Sequence, residues 1–159
     1  MCEYCGCQAL SAIAELTAEH DHVVNLISRV RAAHTAGEIA AMAWLAVQIS
    51  AVLGPHTAVE EEGLFPPLAV EFPGHVADLT AQHRHIEGVL GEAADGPPAD
   101  PSWPERLLAA LHLLRDHILA EQDGVFPAAL AALDAADWDV IDTVRARVGS
   151  AMLLPDHVR

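Results

Sequence analysis

At 159 residues the chain is long enough for one domain with a sizeable core and too short for two ordinary ones. Its 23 acidic residues stand against 8 basic ones, all arginine, and the net charge of −15 opposes nucleic acid and anionic lipid as partners. Alanine and aliphatic residues dominate while aromatics make up 4%, which favours an all-α fold. An acidic surface serves solubility as readily as cation binding, so charge alone does not imply a metal.

The chain opens with Cys2, Cys5 and Cys7 in CEYCGC, expected to form a mobile tail over residues 1–9. Their spacing suits a metal or a redox-active dithiol, but three thiols are one short of a closed tetrahedral site. No basic segment followed by an apolar one precedes Cys2, so it is not expected to carry a lipid. No apolar run reaches the roughly 18 residues needed to cross a bilayer, and the expected location is the cytoplasm.

Apolar spacing then predicts four long helices. The first covers residues 11–35, with Ile13, Leu16, His20, Val23, Ile27 and Val30 on a heptad-like seam, and Gly37 ends it. The second covers 38–62, with Ile39, Met42, Leu45, Ile49, Val52, His56 and Val59 inward; Pro55 should bend it or mark a boundary. The third covers 75–93 through Val76, Leu79, His83, Ile86 and Leu90. A loop with the sequence ADGPPADPSWP leads to the fourth, 102–123, which turns Leu107, Leu111, Leu114, His117 or Ile118, and Glu121 inward. A fifth helix over 136–152 should pack outside through Trp138, Ile141, Val144 and Val148. The fold class is therefore an up-down-up-down four-helix bundle with an additional C-terminal helix.

The chain repeats itself. HTAVEEEGLFP starts at His56 and HILAEQDGVFP at His117, while EHDHVVNL at residues 19–26 matches QHRHIEGV at 82–89. The offsets, 63 residues for His20 to His83 and 61 for His56 to His117, imply two related helix hairpins about a pseudo-twofold axis. Both long motifs read as helices that stop at a glycine, two apolar residues and a proline. Leu64, Phe65, Val125 and Phe126 should then close the end of the core.

Each motif sets a histidine four residues ahead of a glutamate, one turn apart on one helix face. His20 and His83 occupy apolar seams, whereas His22 and His85 lie two residues on, roughly 200° around the helix. Four inward histidines with Glu60 and Glu121 form a ligand set, since two buried carboxylates without cations would suffer a heavy desolvation penalty. Imidazole and carboxylate without thiolate favour iron or manganese, with zinc or copper as substitutes. Six ligands exceed one tetrahedral zinc site, so a dinuclear centre is expected, with Glu60 and Glu121 bridging and His20, His56, His83 and His117 terminal. Solvent or an oxo group would complete the bridge. Glu61, Glu62, Gln122 and Asp123 are candidates to orient the imidazoles. His34, His75, His112 and His157 are assigned to surface or packing.

This constellation resembles the hemerythrin-like family of HHE cation-binding domains, over residues 10–133. The resemblance implies a non-haem centre of two iron ions, oxo- or hydroxo-bridged, with manganese or zinc as lesser alternatives. It also implies small-molecule partners: dioxygen, peroxide or nitric oxide. The sequence departs from the oxygen carriers of that family, whose third helix carries HxxxH and whose fourth carries HxxxxD. Here Glu87 and Gln122 stand at those positions. Glu87 is a candidate additional ligand, with a solvated surface role as its alternative. More carboxylate and less imidazole favours the ferric state and shifts the expectation from oxygen carriage to redox chemistry, peroxidase- or catalase-like if enzymatic. A non-catalytic oxygen- or iron-binding module is the alternative. Ferritin-like proteins use Glu-x-x-His, which is absent at inward positions here.

Overall fold

The computed structural model describes residues 4–153, with side chains from 6 to 152. Helix α1 spans Tyr4–Thr35 and begins well before the expected residue 11. Its early turns are held by contacts far along the chain: Ala9 and Ala12 are buried, and Gln8 donates to Asp139 and Asp142 near the C-terminus. The cysteine-bearing segment is thus partly helix rather than wholly a mobile tail. Cys7 is exposed on it, whereas Cys2 and the Cys5 side chain lie outside the described residues.

Helix α2 spans Ile39–Val59 and runs through Pro55 without a boundary. Proline crowds the Cβ of the residue before it when that residue is helical. Here that residue is Gly54, which has no Cβ. Nor do the two HxxxE helices stop at Gly63 and Gly124, as the sequence suggests. Each passes through one π-helical turn, Glu60–Leu64 and Glu121–Val125, into a short helix: α3, Phe65–Ala69, and α6, Phe126–Ala132. The Phe65 N–H bonds the Glu60 carbonyl and the Phe126 N–H bonds the Glu121 carbonyl, five residues back. The wider turn carries the chain past Pro66 and Pro127, whose rings would collide with a carbonyl four residues back in an α-helix.

Helices α4, Pro73–Gly91, and α5, Trp103–Ala120, form the second hairpin. Trp103, at the edge of the predicted loop, is fully buried and its indole donates to the Val89 carbonyl at 3.0 Å. Helix α7, Ala135–Val148, starts at a reciprocal cap between Asp134 and Asp137 and ends at Gly149, whose φ is 71°. It stops short of the predicted residue 152, and a 3₁₀ turn, Ala151–Leu153, follows. Trp138, Ile141 and Val144 are buried against the bundle, as expected.

The long helices pack as antiparallel neighbours, α1 on α2 and α4 on α5, with α2 meeting α4 and α1 meeting α5. No strand occurs among the described residues. Two apolar cores fill the bundle. One is built around Val23, Ile49, Ile86 and Leu111, the other around Leu16, Phe65, Leu79, Phe126 and Trp138. Between them lies a layer of buried polar residues: Glu19, His20, His56, Glu60, His83, His117 and Glu121.

One expectation needs correction. The continuous helical run Ile39–Ala69, 31 residues long, is apolar enough by length and composition to cross a membrane. Its Met42, Leu45, Ile49 and Val52 fill the bundle core, and it carries the buried His56 and Glu60.

Candidate metal centre

Helix register brings all six predicted residues into the polar layer, each at most 5% exposed. Their ligand atoms converge in two groups, His20, His56, Glu60 and Glu121, and His83, His117, Glu60 and Glu121. Each hairpin supplies the two histidines of one group, and both glutamates belong to both. His22 and His85 point outward and are exposed.

The carboxylates face the two groups differently. Glu60 presents Oε1 to His56 Nε2 at 3.0 Å and Oε2 to His83 Nε2 at 3.2 Å, so its two oxygens reach opposite groups. Glu121 presents Oε1 to both sides, at 3.3 Å from His20 Nε2 and 3.1 Å from His117 Nε2. Among the described residues, none of the four carboxylate oxygens has a hydrogen-bond partner, nor does either ring nitrogen of His20. Buried polar atoms are rarely left so, and their clustering is what a bound cation would satisfy. The residues therefore fit two metal ions.

Outer contacts aim the rings. Nδ1 of His56 bonds Glu19 at 3.2 Å, that of His83 bonds Glu61 at 3.0 Å, and that of His117 bonds Gln82 at 2.8 Å. With these acceptors Nδ1 carries the proton, which leaves Nε2 directed at the centre. Phe126 stacks on His20 and Phe65 on His83, with ring centroids 5.5 and 5.8 Å apart and planes within 10° of parallel. The apolar residues after each HxxxE motif thus close the core, as expected, and also hold an imidazole flat.

Without a cation, His56 and His83 compensate Glu60. Burial lowers the His56 pKa, but Glu60, Glu19 and Glu121 outweigh it and push it up to about 10. Burial opposes ionisation of Glu60, yet His56 and His83 hold its pKa well below the usual range. His83 is raised in the same way: burial acts against it, and Glu60, Glu61 and Glu121 prevail.

Other predicted residues fall elsewhere. Glu87 lines the cavity beside the rings, but its carboxylate accepts from Arg84 at 2.9 Å and joins neither converging group. Glu61 does orient an imidazole, whereas Glu62 is exposed and paired with Arg147, and Asp123 is exposed. Cys7 is in neither group. Glu19 escaped the sequence reading. Its signal was there: Leu16, Glu19 and Val23 continue a three-four spacing into the core, and the repeat sets Glu19 opposite Gln82.

A cavity of about 10 Å³ lies among the four histidines, walled on its apolar side by Leu53, Ile86 and Leu114. That is room for about one water-sized molecule.

An antiparallel bundle whose two hairpins each bring a histidine pair to two shared, buried glutamates is a metal-binding bundle with a site suited to two ions. The chain belongs to the hemerythrin HHE cation-binding domain family, which matches residues 11–129. No curated protein and no solved structure matched it.

Proposed function

We propose that the protein is a cytoplasmic non-haem di-iron redox protein acting on peroxide or nitric oxide. The carrying observation is the pair of buried glutamates with no hydrogen bond to any carboxylate oxygen, set between two histidine pairs. His20, His56, His83 and His117 would hold the ions from the sides, with Glu60 and Glu121 between them. Bound iron supplies Lewis acidity and an electron reservoir. A donor set with two carboxylates and no thiolate suits iron in its higher charge state.

The rest of the site restricts access and chemistry. The six residues are at most 5% exposed, and Leu53, Ile86 and Leu114 wall one side of the cavity among them, which limits contact with bulk water. Peroxide disproportionation needs no separate reductant: one peroxide is reduced to water while a second is oxidised to dioxygen. Glu61 and Gln82 keep the second hairpin's imidazoles aimed as charge changes.

Metal content per chain, an optical spectrum and dioxygen evolution from peroxide test this together. Two irons per chain with multiple-turnover dioxygen release, abolished in Glu60→Ala and in Glu121→Ala, is the expected result. Two irons with a single stoichiometric oxidation would instead identify a binding or sensing module.

A further inference from the structure

The repeat places Glu19 and Gln82 at equivalent positions, 63 residues apart, and each takes the Nδ1 proton of a histidine on the neighbouring helix. The chemistry they present differs. Gln82 is a neutral amide. Glu19 is a carboxylate only 1% exposed.

What holds the Glu19 carboxylate comes from the far end of the chain. Arg145 on α7 donates from Nη2 to Oε1 at 2.6 Å and from Nη1 to Oε2 at 3.2 Å, and Ser150 Oγ donates to Oε2 at 3.0 Å. Arg145 is itself fixed by Glu15 at 3.1 Å and by the Gly149 carbonyl at 3.0 Å. Both Arg145 and Ser150 lie beyond residues 11–129, the part matched by the family. Helix α7 also seats tightly on the π-turn after Glu60: a Cβ on Gly63 would lie 3.1 Å from Ile141 Cα, while the equivalent Gly124 has open space.

We propose that α7 is a clamp on one half of the metal centre. Through Arg145 it fixes Glu19, and Glu19 is the positioning residue for His56, so the two ion positions are inequivalent. At the position served by His20 and His56 the imidazole support is bonded to the C-terminal helix; at the other, His83 and His117 are supported by Glu61 and Gln82, neither of which bonds α7. Each half has one carboxylate behind an imidazole, Glu19 at His56 and Glu61 at His83, and such a carboxylate strengthens the donor and fixes its direction; only Glu19 is held from α7. The inference rests on the metal reading above.

Anaerobic calorimetric titration of Fe²⁺ into the metal-free full chain tests it. Wild type should take up two ions. Glu19→Gln and Arg145→Met should each weaken one of the two steps by about 10–100-fold and leave the other in place. Combining them should add little, because they act on one position, whereas Glu19→Gln with Gln82→Leu should weaken both steps. Linkage requires the reverse effect as well, so Fe²⁺ should slow amide hydrogen exchange in α7 more in wild type than in Glu19→Gln, relative to the other helices. Should Glu19→Gln fail to fold, Ser150→Ala removes a single bond to the same carboxylate and should weaken the same step by less. Two unaltered steps in these variants, or equal loss at both, would overturn the clamp. Wild type that takes up no pair of ions would instead overturn the metal reading itself.

Discussion

His20 shows how far a single residue can report a function. It is buried with neither ring nitrogen in a hydrogen bond, while its three counterparts each have an acceptor at Nδ1. A histidine kept only for packing would rarely be left this way. The protonation of its neighbour His56 leads to a pH prediction. Its pKa is raised from 6.5 to about 10 in the folded, metal-free chain, so its contribution to stability is full below 6.5 and is lost as pH rises through about 10. The lowered Glu60 pKa contributes above 4.5 and is lost as pH falls through its depressed value. Thermal melts of metal-free protein should therefore be most favourable between about 4.5 and 6.5 and decline towards pH 10. Metal must displace these protons, so Fe²⁺ affinity should rise over the same interval, with proton release seen as buffer-dependent calorimetric heat. A metal-free protein whose stability climbs from pH 7 to 9 would show that His56 is neutral.

At the scale of elements, the π-turns and α7 shape the site. Each π-turn begins at a ligand-position glutamate, so the extra residue per turn both passes a proline and swings the following phenylalanine onto an imidazole. Seam spacing made His20, His83 and the HxxxE pairs legible, because inward positions on a helix recur at a fixed angle. The π-turns were not legible, since glycine followed by proline reads equally as a helix end. The two glycines make a matched test. Gly63→Ala drives a methyl into the Ile141 backbone and should cost about 1–3 kcal/mol in denaturant unfolding. Gly124→Ala meets nothing within 4 Å and should be neutral or stabilising by roughly 0.5–1 kcal/mol. Equal effects at the two positions would contradict the close seating of α7 on one hairpin alone.

Across the whole molecule, a buried polar layer divides the apolar interior, and the chain carries a net charge of −15. Both features disfavour the compact state without cations and are relieved with them. Metal should therefore stabilise the fold strongly. Free metal at 100 times its dissociation constant contributes about 2.7 kcal/mol per site, so two sites should raise Tm by on the order of 10–20 °C. Differential scanning calorimetry with and without a chelator measures this directly. A chelated protein that melts with the loaded one would point to a bundle stabilised by its apolar cores alone. The same balance bears on Ile39–Ala69: its composition would suit a bilayer, yet its apolar side chains are consumed by helix packing and its His56 and Glu60 by the polar layer.

The sequence by itself determined the helices, the two-hairpin repeat and the six residues that meet at the centre, because each follows from angular period and from spacings within one or two turns. Tertiary structure alone decided how the halves differ. Glu19 and Arg145 are 126 residues apart, and no local periodicity links a helix seam to a side chain on a separately packed helix. Close seating of α7 over Gly63, with Gly124 left open, likewise depends on which side of a pseudo-symmetric bundle the C-terminal helix covers. Burial is what gives these contacts their force: an arginine and a glutamate that would be screened in water become, inside the fold, a fixed support for one imidazole.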